Sequence, residues 1–86
     1  MSRNNTTKIS LSAWMEIIGK LCSLSIDDQY ICLEIDEKTL SYRKNTKEAS
    51  YIQEMLNESC VGRTIAVLKT DILEKQLRIR LVDRSN

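Results

Sequence analysis

The last part of the chain alternates between apolar and basic side chains. Over residues 77–82, apolar residues are separated by Arg78 and Arg80. Because successive side chains of a β-strand point to opposite faces, this pattern predicts a strand with one buried and one solvated face. A further apolar run, residues 63–71, precedes it. The two runs together predict a closing β-hairpin with a small basic stripe on its outer side.

A second hairpin is predicted in the middle of the chain. Residues 30–36 alternate apolar and polar side chains, and residues 39–44 form a shorter run of the same kind. The pairs Asp27-Asp28 and Glu37-Lys38, before and between these runs, are turn signals. The pattern therefore predicts two neighbouring antiparallel strands.

The residues between the two hairpins predict one helix. The side chain of Asn45 can accept a hydrogen bond from the N–H of Glu48, and Glu48 can reach back, which is the logic of a capping box. Apolar residues then recur at helical spacing. Gly62 suits the left-handed position that follows many helices. We therefore predict a helix that begins after Asn45 and ends before Gly62.

The segment of residues 9–26 supports two interpretations. Its first half places apolar residues on one face of a helix, whereas its second half alternates strictly. Gly19 would cost about 1 kcal/mol inside a helix, but in a long strand it marks a bulge or a close backbone approach. We favour an irregular lead-in through about Ala13, followed by a long strand from Trp14 to Ile26. The alternative is a helix over residues 9–24.

The predicted order of strand, strand, strand, helix, strand, strand resembles that of the OB-fold. The features that carry this resemblance are Gly19 in a long first strand, the hairpin of residues 30–44, the helix capped at Asn45 and the hairpin of residues 63–82. The resemblance implies a mainly β fold with one helix, built as a five-stranded OB-like barrel. It also implies that the outer face of the second and third strands binds single-stranded nucleic acid or oligosaccharides. If residues 9–24 are helical, the order becomes αββαββ, and the fold is an α+β two-layer sandwich.

The size and charge of the chain predict one small domain without a strong overall field. The 86 residues include 13 Lys and Arg against 12 Asp and Glu, a net charge of +1. We expect a disordered tail over residues 1–8 and a single domain over residues 9–84. Any electrostatic contact must therefore use a local patch. Since the sequence contains neither an apolar run of bilayer length nor a signal-peptide pattern, we expect a cytoplasmic protein with no membrane partner.

The sequence lacks the motifs that carry most enzyme chemistry. The chain has no histidine, and Cys22, Cys32 and Cys60 do not have the spacing of metal ligands, so we predict no metal and no cofactor. Gly19 and Gly62 are the only glycines, which excludes a glycine-rich phosphate loop. Adjacent acidic residues fall at predicted turns. We therefore predict that the protein is not an enzyme.

The basic stripe favours a first function class, the binding of single-stranded DNA or RNA. Such binding needs cations for the phosphates and aromatic planes on which bases stack. The candidate residues are Lys20, Tyr30, Arg43, Lys69, Arg78 and Arg80. Basic residues on the solvated face of an edge strand also prevent edge-to-edge aggregation, so the stripe has a purely structural alternative.

The second function class is a protein–protein interaction adaptor or a subunit of a larger complex. The hairpin of residues 63–82 could pair along its edge with a strand of another protein or of its own copy. Trp14 and Val82 are the apolar residues that we expect at such an interface. A fold resemblance alone does not choose between the two classes.

Overall fold

The computed structural model describes residues 7–82, which form one sheet and one α-helix. In chain order the elements are β1 (Thr7–Lys8), β2 (Glu16–Ile26), β3 (Tyr30–Ile35), β4 (Lys38–Arg43), α1 (Lys47–Met55), a 3₁₀ turn (Glu58–Cys60), β5 (Thr64–Lys69) and β6 (Leu77–Leu81). The six described strands lie in the order β1-β4-β3-β2-β5-β6. β1 is parallel to β4, and every other pair is antiparallel.

The long strand β2 is shared by the two halves of the sheet. Residues 16–20 pair with β5, whereas Leu21 and residues 23–26 pair with β3. The register shifts between Leu21 and Ser23. This irregularity is a β-bulge, which bends a strand and increases its local twist. β2 therefore crosses from one half-sheet to the other as a single bent strand.

The turn after β3 packs closely on Gly19 of β2. The carboxylate of Asp36, in the turn after β3, lies against Gly19, and its Oδ1 accepts a hydrogen bond from the Lys20 N–H at 3.2 Å. A Cβ atom on residue 19 would overlap this carboxylate and would lie 2.9 Å from Ile35 Cγ2. Asp36 has a φ of 53°, a left-handed conformation that aspartate tolerates better than most residues. The turn that packs on position 19 therefore excludes a side chain there.

The core lies between the inner side of the sheet and α1. Alternate residues of the strands are buried there, namely Leu21, Ile31, Leu33, Ile35, Leu40, Ile65 and Val67. Ala49 and Ile52 of α1 and Leu56 after it are buried against them. Burial of a large aliphatic side chain stabilises the fold by about 1.5–3 kcal/mol. A one-residue slip of any strand would turn this set outward, so the core fixes the register.

The sheet is open, and α1 lies across the opening. The helix packs on both β4 and β6. On β6, the N–H of Ile79 donates a hydrogen bond to Tyr51 Oη of α1 at 2.9 Å. The helix therefore covers the centre of the β6 edge instead of a paired strand.

The structure confirms a mainly β fold with one helix. Residues 16–26 form β2, so the alternative helix over residues 9–24 and the αββαββ sandwich are wrong. The described sheet has six strands and is not closed, so the detail of a five-stranded barrel is not confirmed. The additional strand is β1, because Thr7 and Lys8, which fall in the predicted tail of residues 1–8, pair with β4. The rest of that predicted tail, residues 1–6, lies outside the described residues.

Both ends of α1 differ from the prediction. Thr46 rather than Asn45 is the N-cap, and its Oγ1 accepts a hydrogen bond from the backbone N–H three residues further on at 3.2 Å. The helix ends at Met55, and Gly62, with a φ of 96°, follows the 3₁₀ turn instead. The Gly62 N–H donates to Leu21 O at 2.7 Å. The sequence alone does not distinguish Asn45 from Thr46 as the N-cap of α1, because asparagine and threonine both suit that position.

Gly19→Ala is expected to lower the free energy of unfolding by about 1–3 kcal/mol, because the added methyl group overlaps the Asp36 carboxylate. Urea unfolding followed by circular dichroism measures this cost. Asp36→Gly removes the overlapping group and suits the positive φ at that position. In that background the cost of Gly19→Ala should fall by about 0.5 kcal/mol or more. Equal costs in the two backgrounds would contradict the role of this contact.

Burial raises the pKa of Tyr42 to about 12, and the charge of Glu48 adds to the shift. The folded state therefore favours the protonated phenol more than the unfolded state does, whose tyrosine pKa is about 10. The stability that the protonated Tyr42 phenol contributes is fully present below pH 10. It is lost as the pH rises from about 10 to about 12, because the unfolded chain ionises first.

Tyr42→Phe has no group to ionise, so its free energy of unfolding should fall less over this pH range than that of the wild type. Urea unfolding at matched pH values tests this, with Tyr30→Phe as the control for loss of an exposed hydroxyl. If the free energy of unfolding falls equally with pH in the wild type and in Tyr42→Phe, ionisation of Tyr42 is not the cause of the decline.

Candidate contact face

The outer side of one half-sheet carries three cross-strand rows of side chains. It is formed by residues 16–20 of β2, by β5 and by β6, and we call it the β2–β5–β6 face. The rows are Glu16–Leu68–Arg78, Ile18–Ala66–Arg80 and Lys20–Thr64–Val82. The two arginines therefore lie on the β6 side of the face, and the glutamate lies on the β2 side.

A groove of about 350 Å³ opens at one end of this face. Its lining residues are Trp14, Glu16, Leu68, Thr70, Ile72, Arg78, Ile79 and Arg80. We call it the Trp14 groove. It combines one indole and several aliphatic side chains with two guanidinium groups and one carboxylate. Such a surface can contact an apolar group and an anion at the same time.

The two arginines of the groove differ in their partners. Arg80 Nη2 lies 3.6 Å from Glu16 Oε2, and neither side chain is buried. A solvated pair of this kind contributes at most about 1 kcal/mol, so an incoming anion can replace Glu16 at low cost. Arg78 forms no ion pair with any residue in the range 7–82. Both guanidinium groups are therefore open to an acidic ligand.

Trp14 lies in a turn directly before β2 and has a backbone conformation that large side chains rarely adopt. Its φ is 65°, in the left-handed region. Its N–H donates to Lys69 O at 2.6 Å, and the Lys69 N–H donates to Met15 O at 2.9 Å. A left-handed conformation costs a non-glycine residue about 1–2 kcal/mol. The indole is 58% exposed, so burial in the core does not offset this cost.

The loop between β5 and β6 projects two apolar side chains into solvent. Thr70 is buried, and its Oγ1 donates to Lys75 O at 2.6 Å and accepts from the Ile72 N–H at 3.1 Å. These hydrogen bonds tie the two ends of the loop together. Ile72 is 47% exposed, and Leu73 is 78% exposed. The exposure of these side chains therefore belongs to a hydrogen-bonded loop.

Four large apolar side chains are exposed in this region, and we call them the apolar cluster. Trp14 and Ile72 line the same groove, and Leu73 follows Ile72 in the chain. Ile18, which is 53% exposed, lies one row further along β2 from Glu16. Single exposed apolar residues are normal, but several together beside charged groups mark a contact surface.

The residues predicted to bind nucleic acid fall into two groups. Lys20, Arg78 and Arg80 all belong to the β2–β5–β6 face. Lys69 ends β5 next to this face, but its Nζ donates to Thr70 O at 3.1 Å. The other two predicted residues lie on β3 and β4, in the other half of the sheet. The structure therefore brings together only part of the predicted set.

Tyr30 and Arg43 form a separate pair at the end of the β3–β4 hairpin. They are direct partners in register, and Arg43 Cζ lies 5.9 Å from the centre of the Tyr30 ring, within the range of a cation–π contact. The Asp27 carboxylate accepts hydrogen bonds from the N–H groups of Gln29 and Tyr30 at 2.8 and 2.7 Å. These hydrogen bonds, helped by the charge of Lys44, lower the pKa of Asp27. A carboxylate held in its charged form beside the pair disfavours phosphate binding there.

The outer side of β3 and β4, which the OB-fold resemblance implies as a ligand surface, is small and polar. With the adjoining part of β2, its residues are Ser23, Ser25, Cys32, Glu34, Thr39 and Ser41. Ser23 Oγ donates to Glu34 Oε1 at 3.2 Å, and Cys32 Sγ lies 3.3 Å from Ser41 Oγ. These groups interact with one another, and one of them is an acid. Away from the tyrosine–arginine pair, this set contains none of the cations and aromatic planes that single strands need.

The edge of β6 is less accessible than the prediction of edge pairing assumes. The Val82 N–H donates to Thr64 O at 2.9 Å, so even-numbered residues of β6 bond to β5, and the N–H of Ile79 faces the free edge. Tyr51 Oη accepts that N–H. Val82, predicted as an exposed interface residue, is half-buried, and Leu81 is exposed in its place. The predicted interface residue Trp14 is exposed, but it lies beside the face and not at this edge.

The apolar part of the face was missed by the sequence prediction, although two signals point to it. Ile17 and Ile18 are adjacent in a strand, so only one of them can face the core, and Ile17 is the buried one. Ile72 and Leu73 are consecutive large apolar residues in a predicted connection, where polar residues are usual. Both signals identify apolar residues that the fold leaves in solvent.

Between residues 7 and 82, no group of three potential ligand side chains is arranged to hold a metal ion. No helix of that range is long and apolar enough to cross a membrane. Among known proteins, no family model, no curated protein and no solved structure matches this chain.

Trp14→Gly is expected to leave the free energy of unfolding unchanged or to raise it by up to about 1 kcal/mol, because glycine adopts a φ of 65° without strain. The matched control is Ala13→Gly, in the same turn but without a positive φ, which should lower stability by about 0.5–1 kcal/mol. Thermal and urea unfolding measure both. A large loss of stability in Trp14→Gly would mean that the indole is needed for the fold.

Proposed function

We propose that this chain is a non-enzymatic protein-interaction module that contacts its partner through the β2–β5–β6 face. The observation that carries the proposal is the apolar cluster, of which Trp14 and Ile72 line one groove together with Arg78 and Arg80. Tryptophan and arginine are the residues most enriched among those that dominate binding energy at protein interfaces. A partner that covers the apolar cluster and presents an acid to the arginines would use both the apolar side chains and the two guanidinium groups of this region.

The conformation of Trp14 supports a role in binding over a role in folding. Strained residues persist where the surrounding structure holds them, and they concentrate at sites of ligand contact. The cost of the left-handed conformation places an indole beside the groove, where a partner can cover it. Burial of an aromatic side chain in an interface supplies a large apolar area with few rotatable bonds.

We propose that the fold is an OB-like variant in which closure is replaced by the helix. The order of β2 to β6 with α1 between β4 and β5 supports this likeness, as does the bent strand β2 shared by two half-sheets. The variant adds β1 beside β4 and leaves β4 and β6 unpaired with each other. Because folds of this kind host many functions, the likeness does not itself select a ligand.

The binding of single-stranded DNA or RNA is the second candidate function. One observation favours it, since Trp14 lies beside Arg78 and Arg80 and could stack a base while the arginines bind phosphates. We rank it second because Glu16 and three aliphatic side chains share the face. The two remaining predicted residues, Tyr30 and Arg43, are on the other hairpin.

The experiment that tests the proposal is affinity capture from a nuclease-treated lysate of the source organism. The immobilised wild type should retain a specific protein, and Trp14→Gly combined with Leu73→Ser should lose at least about nine-tenths of it, a tenfold change in affinity. The matched control is Ile26→Ser combined with Met55→Ser, which removes two exposed apolar side chains away from the face. This control should retain the protein at the wild-type level.

A parallel titration with a labelled single-stranded oligonucleotide separates the two candidate functions. The proposal expects no binding at moderate salt. Binding that falls steeply with salt and is lost in Arg78→Ala combined with Arg80→Ala would establish the nucleic-acid function instead. A role for this face would be refuted if Trp14→Gly with Leu73→Ser and the control Ile26→Ser with Met55→Ser lost the same amount of the captured protein. It would also be refuted if neither pair of substitutions lost any protein in the capture experiment.

A further inference from the structure

The β2–β5–β6 face is complementary to itself. We infer that its partner is a second copy of this chain, bound face to face in a two-fold dimer. This inference rests on the proposed function and deepens it by naming the partner. It follows from the distribution of charged and apolar groups across the face.

The acidic residue of the face and its two arginines lie on opposite sides. Glu16 is on β2 together with Lys20, Arg78 and Arg80 are on β6, and the central strand contributes Leu68 and the buried Ala66. In a face-to-face dimer whose two-fold axis runs parallel to β5, β2 of each copy lies over β6 of the other. Each cross-strand row then stays opposite the same row of the second copy.

With this axis one charged pair and two apolar contacts form. Glu16 of one copy lies opposite Arg78 of the other, and the Leu68 side chains of the two copies meet at the axis. In the adjacent row, Ile18 lies opposite Arg80, whose aliphatic stem can pack on it, and in the last row Lys20 lies opposite Val82. Because a two-fold axis uses the same patch twice, the Glu16–Arg78 pair forms once on each side of the axis.

The apolar cluster extends the match beyond the last row. Trp14 precedes β2, and Ile72 and Leu73 follow β5 at the same end, as the hydrogen bond from the Trp14 N–H to Lys69 O shows. Because the axis exchanges the β2 and β6 sides, the indole of each copy lies towards the β5–β6 loop of the other. The dimer would thus cover the exposed side chains of the cluster, and it accounts for their exposure in one chain.

A two-fold axis perpendicular to the strands gives a poorer match. It would place β2 on β2 and β6 on β6. Glu16 would then meet Lys20, but Arg80 would meet Arg80 in the middle row. Like charges facing each other across an interface cost several kcal/mol and specify against that arrangement. The axis parallel to β5 is therefore the one that we infer.

The test is sedimentation equilibrium of the full chain from micromolar to millimolar concentration. The wild type is expected to dimerise, and Leu68→Asp, which places two like charges at the axis, should weaken the dimer at least about tenfold. Ile26→Asp, an equivalent change at an exposed site off the face, should leave it unchanged. Circular dichroism checks that both variants are folded. A wild type that is monomeric throughout, or equal effects of the two changes, would overturn the inference.

Exchanging the charges of Glu16 and Arg78 tests the inferred axis without a substitution at Leu68. Glu16→Arg should weaken the dimer about tenfold, because like charges then meet, and adding Arg78→Glu should restore it to within about threefold. Failure of the second change to restore the dimer would overturn the inferred axis. If the chain is monomeric but the capture experiment still yields a face-dependent protein, the dimer is refuted and the proposed function stands. A face-dependent oligonucleotide complex in place of the dimer would refute both.

Discussion

The division of β2 between two pairing partners is the constraint on which the rest of the fold depends. β2 pairs with β3 over one part of its length and with β5 over the other. The strand changes partner beside the bulge between Leu21 and Ser23, and the turn after β3 packs on the nearby Gly19, which has no side chain. This arrangement aligns residues 16–20 with β5 and so creates the β2–β5–β6 face. The pairing of one strand with two partners therefore positions the candidate site.

The face is also where the chain departs most from the rules that a stable monomer follows. Trp14 is a bulky residue in a left-handed conformation, and its indole stays in solvent. Thr70 orders a loop whose tip, Leu73, is the most exposed large apolar residue of the described range. Neither feature contributes to the core. Their occurrence together at one end of one face is what distinguishes a contact surface from scattered exposure.

The sheet opening and the helix decide which surfaces remain for binding. Tyr51 of α1 bonds to the one edge N–H at the centre of β6, so the helix protects an edge that a foreign strand could extend. The face of β3 and β4 is covered by small polar groups that interact with one another. The β2–β5–β6 face, in contrast, combines exposed apolar area with charged groups.

Local patterns in the sequence predicted the element types, but not the relations between distant elements. Alternation located both hairpins, and apolar spacing located α1, because these signals depend on neighbouring residues alone. The short strand β1 was missed because two residues carry no period and form a strand only by pairing with β4. The basic residues were predicted as one set, yet Arg43 and Arg80 lie in different half-sheets. That separation follows from strand order, which the local pattern does not encode.

The most direct test of the central claim, that the β2–β5–β6 face is where this chain meets its own copy, is a dilution series of amide spectra by NMR. Concentration-dependent shifts are expected to concentrate at Trp14, Ile18, Leu68 and Ile72 and to spare the outer side of β3 and β4. Shifts centred on Ile79 at the β6 edge, or spectra that do not change up to millimolar concentration, would contradict it.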